Sequence, residues 1–140
     1  MTVLLLDTNI VSILFNRNHA LRSKCIEAVA GRQLVMSLMT RAELLLWPAA
    51  NNWGMQRREP LGQRMDAYLT LYADERTCSM RVDIVSQWRH RGQPMQTTDA
   101  WIAASARQWA CPIVTTEFFA RFLRAAGNRS FGYFAIRVPA

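Results

Sequence analysis

The chain has 140 residues, half of them hydrophobic, which suits one globular domain with a real core and excludes a disordered chain. No window approaches the roughly 18 uninterrupted apolar residues of a membrane span, and Asp7 and Asn9 break the apolar N-terminus too early for a signal peptide, so a cytoplasmic protein with no membrane partner is expected. Seventeen basic residues, all Arg except Lys24, face ten acids for a net charge of +7; Arg grips phosphate bidentately, which points to a nucleic-acid partner.

Met1 to Leu6 is an almost unbroken apolar run ended by Asp7-Thr8-Asn9, the pattern of a strand buried on both faces. Thr8 and Asn9 suit a helix start, and residues 8–16 read as a short helix. Asn18 is placed to cap a second helix, with Leu21, Cys25, Ala28 and Val29 at helical spacing and Gly31 as its stop. Leu34 to Leu38 reads as a second buried strand. Thr40-Arg41-Ala42-Glu43 then forms a capping-box pattern opening a helix through Trp47, which Pro48 is expected to end or kink. The box alone would account for Glu43, yet a functional carboxylate would occupy the same first turn beyond a strand.

Ala49 to Pro60 is the least regular stretch and reads as a connection within the domain. Leu61, Met65, Tyr68, Leu69 and Tyr72 form a helical stripe best explained by core packing. A further helix is expected from about Met80 to Arg89, closing on Trp88-Arg89-His90-Arg91-Gly92. Gln93 to Thr98 is a loop. Thr97 or Thr98 then caps a helix apolar around most of its circumference, hence central, and Asp99 falls in its first turn. The helix dipole alone would favour a carboxylate there by ~0.3–1 kcal/mol. Cys111 to Thr115 reads as a third strand with Glu117 just beyond it. A helix through Phe118, Phe119, Phe122 and Leu123 runs to Gly127, and Phe131 to Val138 reads as a last strand at an edge. Cys25, Cys78 and Cys111, odd in number and without a CxxC pair, read as buried thiols.

Asp7 and Glu117 thus end strands, while Glu43 and Asp99 open helices. In a parallel α/β sheet, strand carboxyl ends and the helix N-termini that follow them share one edge, so Asp7, Glu43 and Glu117 should converge there. Asp99 has no evident strand before it. Four carboxylates in one pocket repel one another, and a hard divalent cation with oxygen ligands, Mg2+ or Mn2+, relieves that conflict. Such an ion beside a basic surface suits phosphodiester hydrolysis. With those four acids in one site, six acids face seventeen bases elsewhere, a surface of +11. His19 and His90 have no partner at ligand spacing, so no zinc site is expected.

Asp7-Thr8-Asn9, Arg41-Ala42-Glu43-Leu44, Thr98-Asp99-Ala100-Trp101-Ile102-Ala103-Ala104 and Ile113-Val114-Thr115-Thr116-Glu117 together resemble the successive motifs of PIN domains. In length, order and spacing they are most similar to the VapC-type toxins of toxin–antitoxin pairs, over nearly the whole chain. The resemblance implies an α/β protein: one domain over residues 1–140, with a three-layer α/β/α fold and a mostly parallel central sheet. It also implies metal-dependent endoribonuclease activity on RNA, a homodimer, and inhibition by a small antitoxin protein. Carried onto the matching residues, it makes Asp7, Glu43 and Asp99 the ligands of Mg2+ (or Mn2+), and Glu117 a fourth acid acting directly or through water.

Thr8, Asn9 and Thr115 are expected to orient those carboxylates by hydrogen bonds. Arg41, Arg89 and Arg91, which flank the acids in sequence, are the first candidates for RNA contacts. The chain departs from the family at Glu117, where Asp or Asn is usual, and at Trp47-Pro48, where a small residue is common. Two other readings stay open. One is a non-catalytic RNA-binding or regulatory module on the same fold, which Glu117 would permit. The other is a housekeeping nuclease of RNA maturation without an antitoxin.

Overall fold

The computed structural model describes residues 3–92, 95–116 and 135–138. Glu117, the helix expected through Phe118 to Leu123, its stop at Gly127 and the first residues of the expected last strand lie outside the described residues. The elements in order are β1 (Val3–Leu6), α1 (Thr8–Phe15), α2 (Arg22–Val29), β2 (Gln33–Ser37), α3 (Leu38–Ala50), α4 (Met55–Asp66), β3 (Leu69–Leu71), α5 (Glu75–His90), α6 (Thr97–Trp109), β4 (Ile113–Thr116) and β5 (Ala135–Val138). The strands form one sheet in the order β3-β2-β1-β4-β5, and every pairing is parallel.

The period of two along each strand divides the core into two layers. Leu4, Leu6, Met36 and Val114 face a cluster with Ile10, Val11, Leu44, Leu61 and Met65, contributed by α1, α3 and α4. Leu5, Val35 and Ile113 face the opposite cluster with Ile84, Trp88, Ile102 and Ala103, from α5 and α6. Helices therefore cover both faces, giving the expected three layers. Leu4, Leu5 and Leu6 are completely buried. At roughly 1.5–3 kcal/mol each, they anchor β1 firmly enough to hold the polar residue that follows at the sheet's carboxyl edge.

Several elements differ from the sequence reading. The stripe from Leu61 to Tyr72 is not one helix: Leu61 and Met65 are the inward face of α4, and Leu69–Leu71 pairs in parallel with β2 as the edge strand β3. Most of the stretch read as irregular is helical too, because α4 starts at Met55 despite Pro60. Pro60 lies on the exposed side of α4. Pro48 sits inside α3, which continues to Ala50; its own carbonyl accepts Trp53 N–H at 3.0 Å and Arg58 Nη2 at 3.2 Å.

α5 begins at Glu75, several residues early, because Asp74 and Thr77 form a reciprocal capping box. α2 begins at Arg22 without a side-chain cap, and Asn18 instead donates its backbone N–H to Asn16 Oδ1. Cys25 and Cys78 also part company: Cys25 is buried as expected, while Cys78 is exposed, one step round α5 from the inward positions Thr77, Ile84 and Trp88. The last strand is at the edge, as read.

α5 and α6 are antiparallel neighbours. Gln108 in the last turn of α6 donates to Asp74 Oδ1 at 2.9 Å and accepts from Thr77 at the start of α5. Midway, the Arg81 guanidinium lies over the Trp101 ring at 4.9 Å. The end of α5, with Arg89 and Arg91, therefore lies beside the start of α6, with Asp99.

Candidate metal centre

Sheet winding reverses between β1 and β4: β2 and β3 lie to one side of β1, β4 and β5 to the other. A crevice opens at the carboxyl ends of strands at such a reversal. Asp7 occupies it, one residue past β1. It is the N-cap of α1, only 5% exposed, and both of its oxygens are engaged. Oδ1 accepts the Thr8 backbone N–H at 2.7 Å, and Oδ2 accepts the Thr115 hydroxyl from the end of β4 at 2.8 Å. Burial drives its pKa above the ordinary carboxylate value; the two hydrogen bonds pull it back, and the charge of Glu43 adds to the rise.

Glu43 reaches the same crevice from α3. Ser37, the last residue of β2, caps this helix by accepting Met39 N–H at 3.1 Å. The Thr40 box is therefore absent: Thr40 is the third residue of the helix, and Glu43 lies in the second turn, where capping cannot account for it. Asp99 arrives from the other layer, in the first turn of α6, whose N-cap is Gln96 rather than Thr97 or Thr98. Its carboxyl is pushed up to about 6, by burial first and then by the charges of Asp7 and Glu43. The strand missing before Asp99 is replaced by α5, which delivers α6 to the edge.

Asp7, Thr8, Asn9, Glu43, Gln96, Asp99 and Thr116 line one cavity of about 210 Å³. Among the described residues no group of three or more His, Cys, Asp or Glu already stands in a ligating arrangement. The donor chemistry nevertheless suits a hard divalent ion. Every charged donor is a carboxylate oxygen, the remaining lining is hydroxyl and amide, and the acids are close enough for Glu43 to raise the pKa of Asp7, and for both to raise that of Asp99. Both oxygens of Asp7 are held by hydrogen bonds, whereas Glu43 and Asp99 are half-buried on helix surfaces.

Thr8 gives its backbone N–H and Thr115 its hydroxyl to Asp7, and Asn9 lines the cavity. Arg41 turns towards α4, where its Nη2 donates to Asp66 Oδ1 at 3.1 Å. Arg89 and Arg91 are exposed at the end of α5, on the side of Asp99. Trp47 packs against the core beneath α3, and Pro48 is buried. Three residues of the site escape sequence reasoning. Gln96 and Thr116 line the cavity, and Thr40 is completely buried with its hydroxyl 3.1 Å from that of Thr8. Gln96 carries no sequence signal beyond its place before a helix; Thr40 is legible only as a cap.

The PIN domain model matches residues 4–126. No curated protein matches the sequence. Among solved structures, the chain is similar to VapBC2 from Rickettsia felis bound to a DNA fragment from their promoter, with a TM-score of 0.80 at 15% identity over 97% of this chain and 98% of that one. It is also similar to FitAcB from Neisseria gonorrhoeae, with a TM-score of 0.72 at 21% identity over 94% and 96% of the two chains. A third is VapBC-5 from Mycobacterium tuberculosis, a member of the VapBC family of toxin-antitoxin systems, with a TM-score of 0.70 at 21% identity over 99% and 100%. At these identities the likeness is one of fold.

Proposed function

The chain belongs to the PIN domain family, and from that premise we propose that it is a divalent-metal-dependent endoribonuclease, the VapC-type toxin of a toxin–antitoxin pair. The observation that carries the reading is the meeting of Asp7, Glu43 and Asp99, from three separate chain segments and both helical layers, on one small polar cavity. A fold has no structural need to place three carboxylates together, since their mutual repulsion costs stability.

Asp7, Glu43 and Asp99 would hold Mg2+ or Mn2+, and Glu117 would serve as a fourth acid, directly or through water. When bound, such an ion supplies an activated water and positive charge beside the scissile phosphate. The chain's own residues do the rest. Thr115 and the Thr8 backbone keep both Asp7 oxygens in place. Arg89 and Arg91, on the Asp99 side, bind flanking phosphates. Arg41, whose guanidinium is paired with Asp66, is the third candidate.

A small antitoxin is the proposed protein partner, supported by similarity to VapBC toxin-antitoxin structures. The assembly is proposed to be a homodimer. The test is cleavage of an RNA substrate by purified wild type and Asp7→Asn, with Mg2+ or Mn2+ and with chelator. Cutting should require metal and disappear in Asp7→Asn while the fold persists. Full activity of chelator-treated protein would refute the proposal.

A further inference from the structure

We propose that Thr40 is a positioning residue of this site: its buried hydroxyl, bonded to that of Thr8, fixes the helix carrying Glu43 against the turn carrying Asp7. The inference rests on the metal-dependent reading above and adds a residue to it. Thr40 is 0% exposed, Thr8 is also buried, and their Oγ1 atoms lie 3.1 Å apart across 32 residues of sequence. Thr8 also gives its backbone N–H to Asp7 Oδ1, so it is tied to the Asp7 carboxylate and to α3 at once. Thr40 precedes Glu43 by three residues on α3, placing both on one helix face, one turn apart. Helix side chains tilt towards the N-terminus, so Glu43 leans over the turn that Thr40 pins.

Packing alone does not explain the pair. A Val would fill the same volume at either position without burying a hydroxyl. The apolar contacts under α3, Leu44 among them, set its distance from the sheet. They are non-directional and leave the helix free to rotate slightly. A hydrogen bond between two buried hydroxyls is directional, and losing either partner strands the other. Rotation of α3 swings the Glu43 carboxylate relative to the fixed Asp7, so the Thr8–Thr40 bond sets the separation of two of the acids lining the cavity.

The experiment is Mn2+ binding to the full chain without RNA, followed by the electron paramagnetic resonance of free Mn2+. It compares wild type, Thr40→Val, Thr8→Val, the double variant and Thr40→Ser, each with its melting temperature. Thr40→Val and Thr8→Val should each weaken Mn2+ binding about 10- to 100-fold. The double variant should lose no more than either single one, because both remove the same bond. Thr40→Ser, which keeps the hydroxyl, should bind like wild type. A Thr40→Val protein that melts earlier but binds Mn2+ as wild type does would overturn the proposal and leave Thr40 a packing residue. Should Thr40→Val fail to fold, Thr8→Val decides by the same criterion. A wild type that binds no Mn2+ would instead overturn the metal-dependent reading itself, and this inference with it.

Discussion

Replacing Asp99 by Asn should stabilise the metal-free protein near neutral pH and leave it unchanged in acid. Folding moves the Asp99 carboxyl from 3.8 up to about 6. Between those values the native state holds a proton that the unfolded chain has released, so this group's contribution to stability falls as pH rises from about 4 through 6. That rise corresponds to roughly 3 kcal/mol if felt in full. Asp99 is half-buried, and solvent screening reduces the expected effect to about 1–2 kcal/mol. Asn imitates the protonated acid, so the two proteins should coincide near pH 4 and diverge by that amount at pH 7. Urea unfolding of both proteins in chelator, at half-unit steps from pH 4 to 7.5, measures the gap directly. Excess Mg2+ should reverse the order, since a site filled at about 100 times its Kd contributes about 2.7 kcal/mol to the wild type alone. A gap that is independent of pH, or a less stable Asn variant at pH 7 in chelator, would show that neither burial nor the neighbouring acids raise the Asp99 carboxyl.

Glu117→Gln should lose activity or metal affinity by about 10- to 100-fold, less than Asp7→Asn, while Glu117→Asp should keep or raise activity; cleavage against metal concentration for the three variants decides. Arg89→Ala with Arg91→Ala should weaken RNA binding, and the log–log dependence of affinity on salt should become shallower by roughly one for each phosphate no longer gripped. An unchanged slope would place the RNA path elsewhere. Asp74→Ala should lower the melting temperature, because it removes the cap of α5 and the bond to Gln108. Hydrogen bonds hold the Asp74 carboxyl below its usual range, so this stabilisation is present above about pH 4 and is lost as pH falls through the lowered value. Melting curves of wild type and Asp74→Ala should therefore converge in strong acid.

The fold is legible in the sequence where one signal has no competitor. The leucines at 4 to 6 and the Asp that stops them could hardly be anything but a central strand and its end. Legibility fails where two signals overlap. Leu61, Met65 and Leu69 fit helical spacing, yet the chain leaves the helix after Asp66, and Leu69–Leu71 gains more from pairing with β2 than from a further turn. Ser37 and Thr40 can both start a helix; Ser37 wins because β2 ends there, and that choice moves Glu43 a turn deeper. The Asp74–Thr77 box is plain in the sequence but lies upstream of the apolar residues that signal the helix, so the start of α5 is read too late. Of the residues lining the cavity, Asp7, Glu43 and Asp99 each carry a local signal, at a strand end or near a helix start. Gln96 and Thr40 belong to the site only through tertiary placement, which no local pattern encodes.

The two helical layers contribute unequally to the cavity: Asp7 and Glu43 belong to segments packed on one face of the sheet, Asp99 to a helix packed on the other. Neither layer alone contains the acidic triad, so the triad exists only in molecules whose halves are docked across the sheet. A ligand bound there therefore acts as a rivet through the sheet's edge. Its binding free energy opposes separation of the layers and does little against fraying of either one, so hydrogen exchange should slow on ligand addition in the buried strands β1 and β4, and much less in the outer turns of α2 or α4.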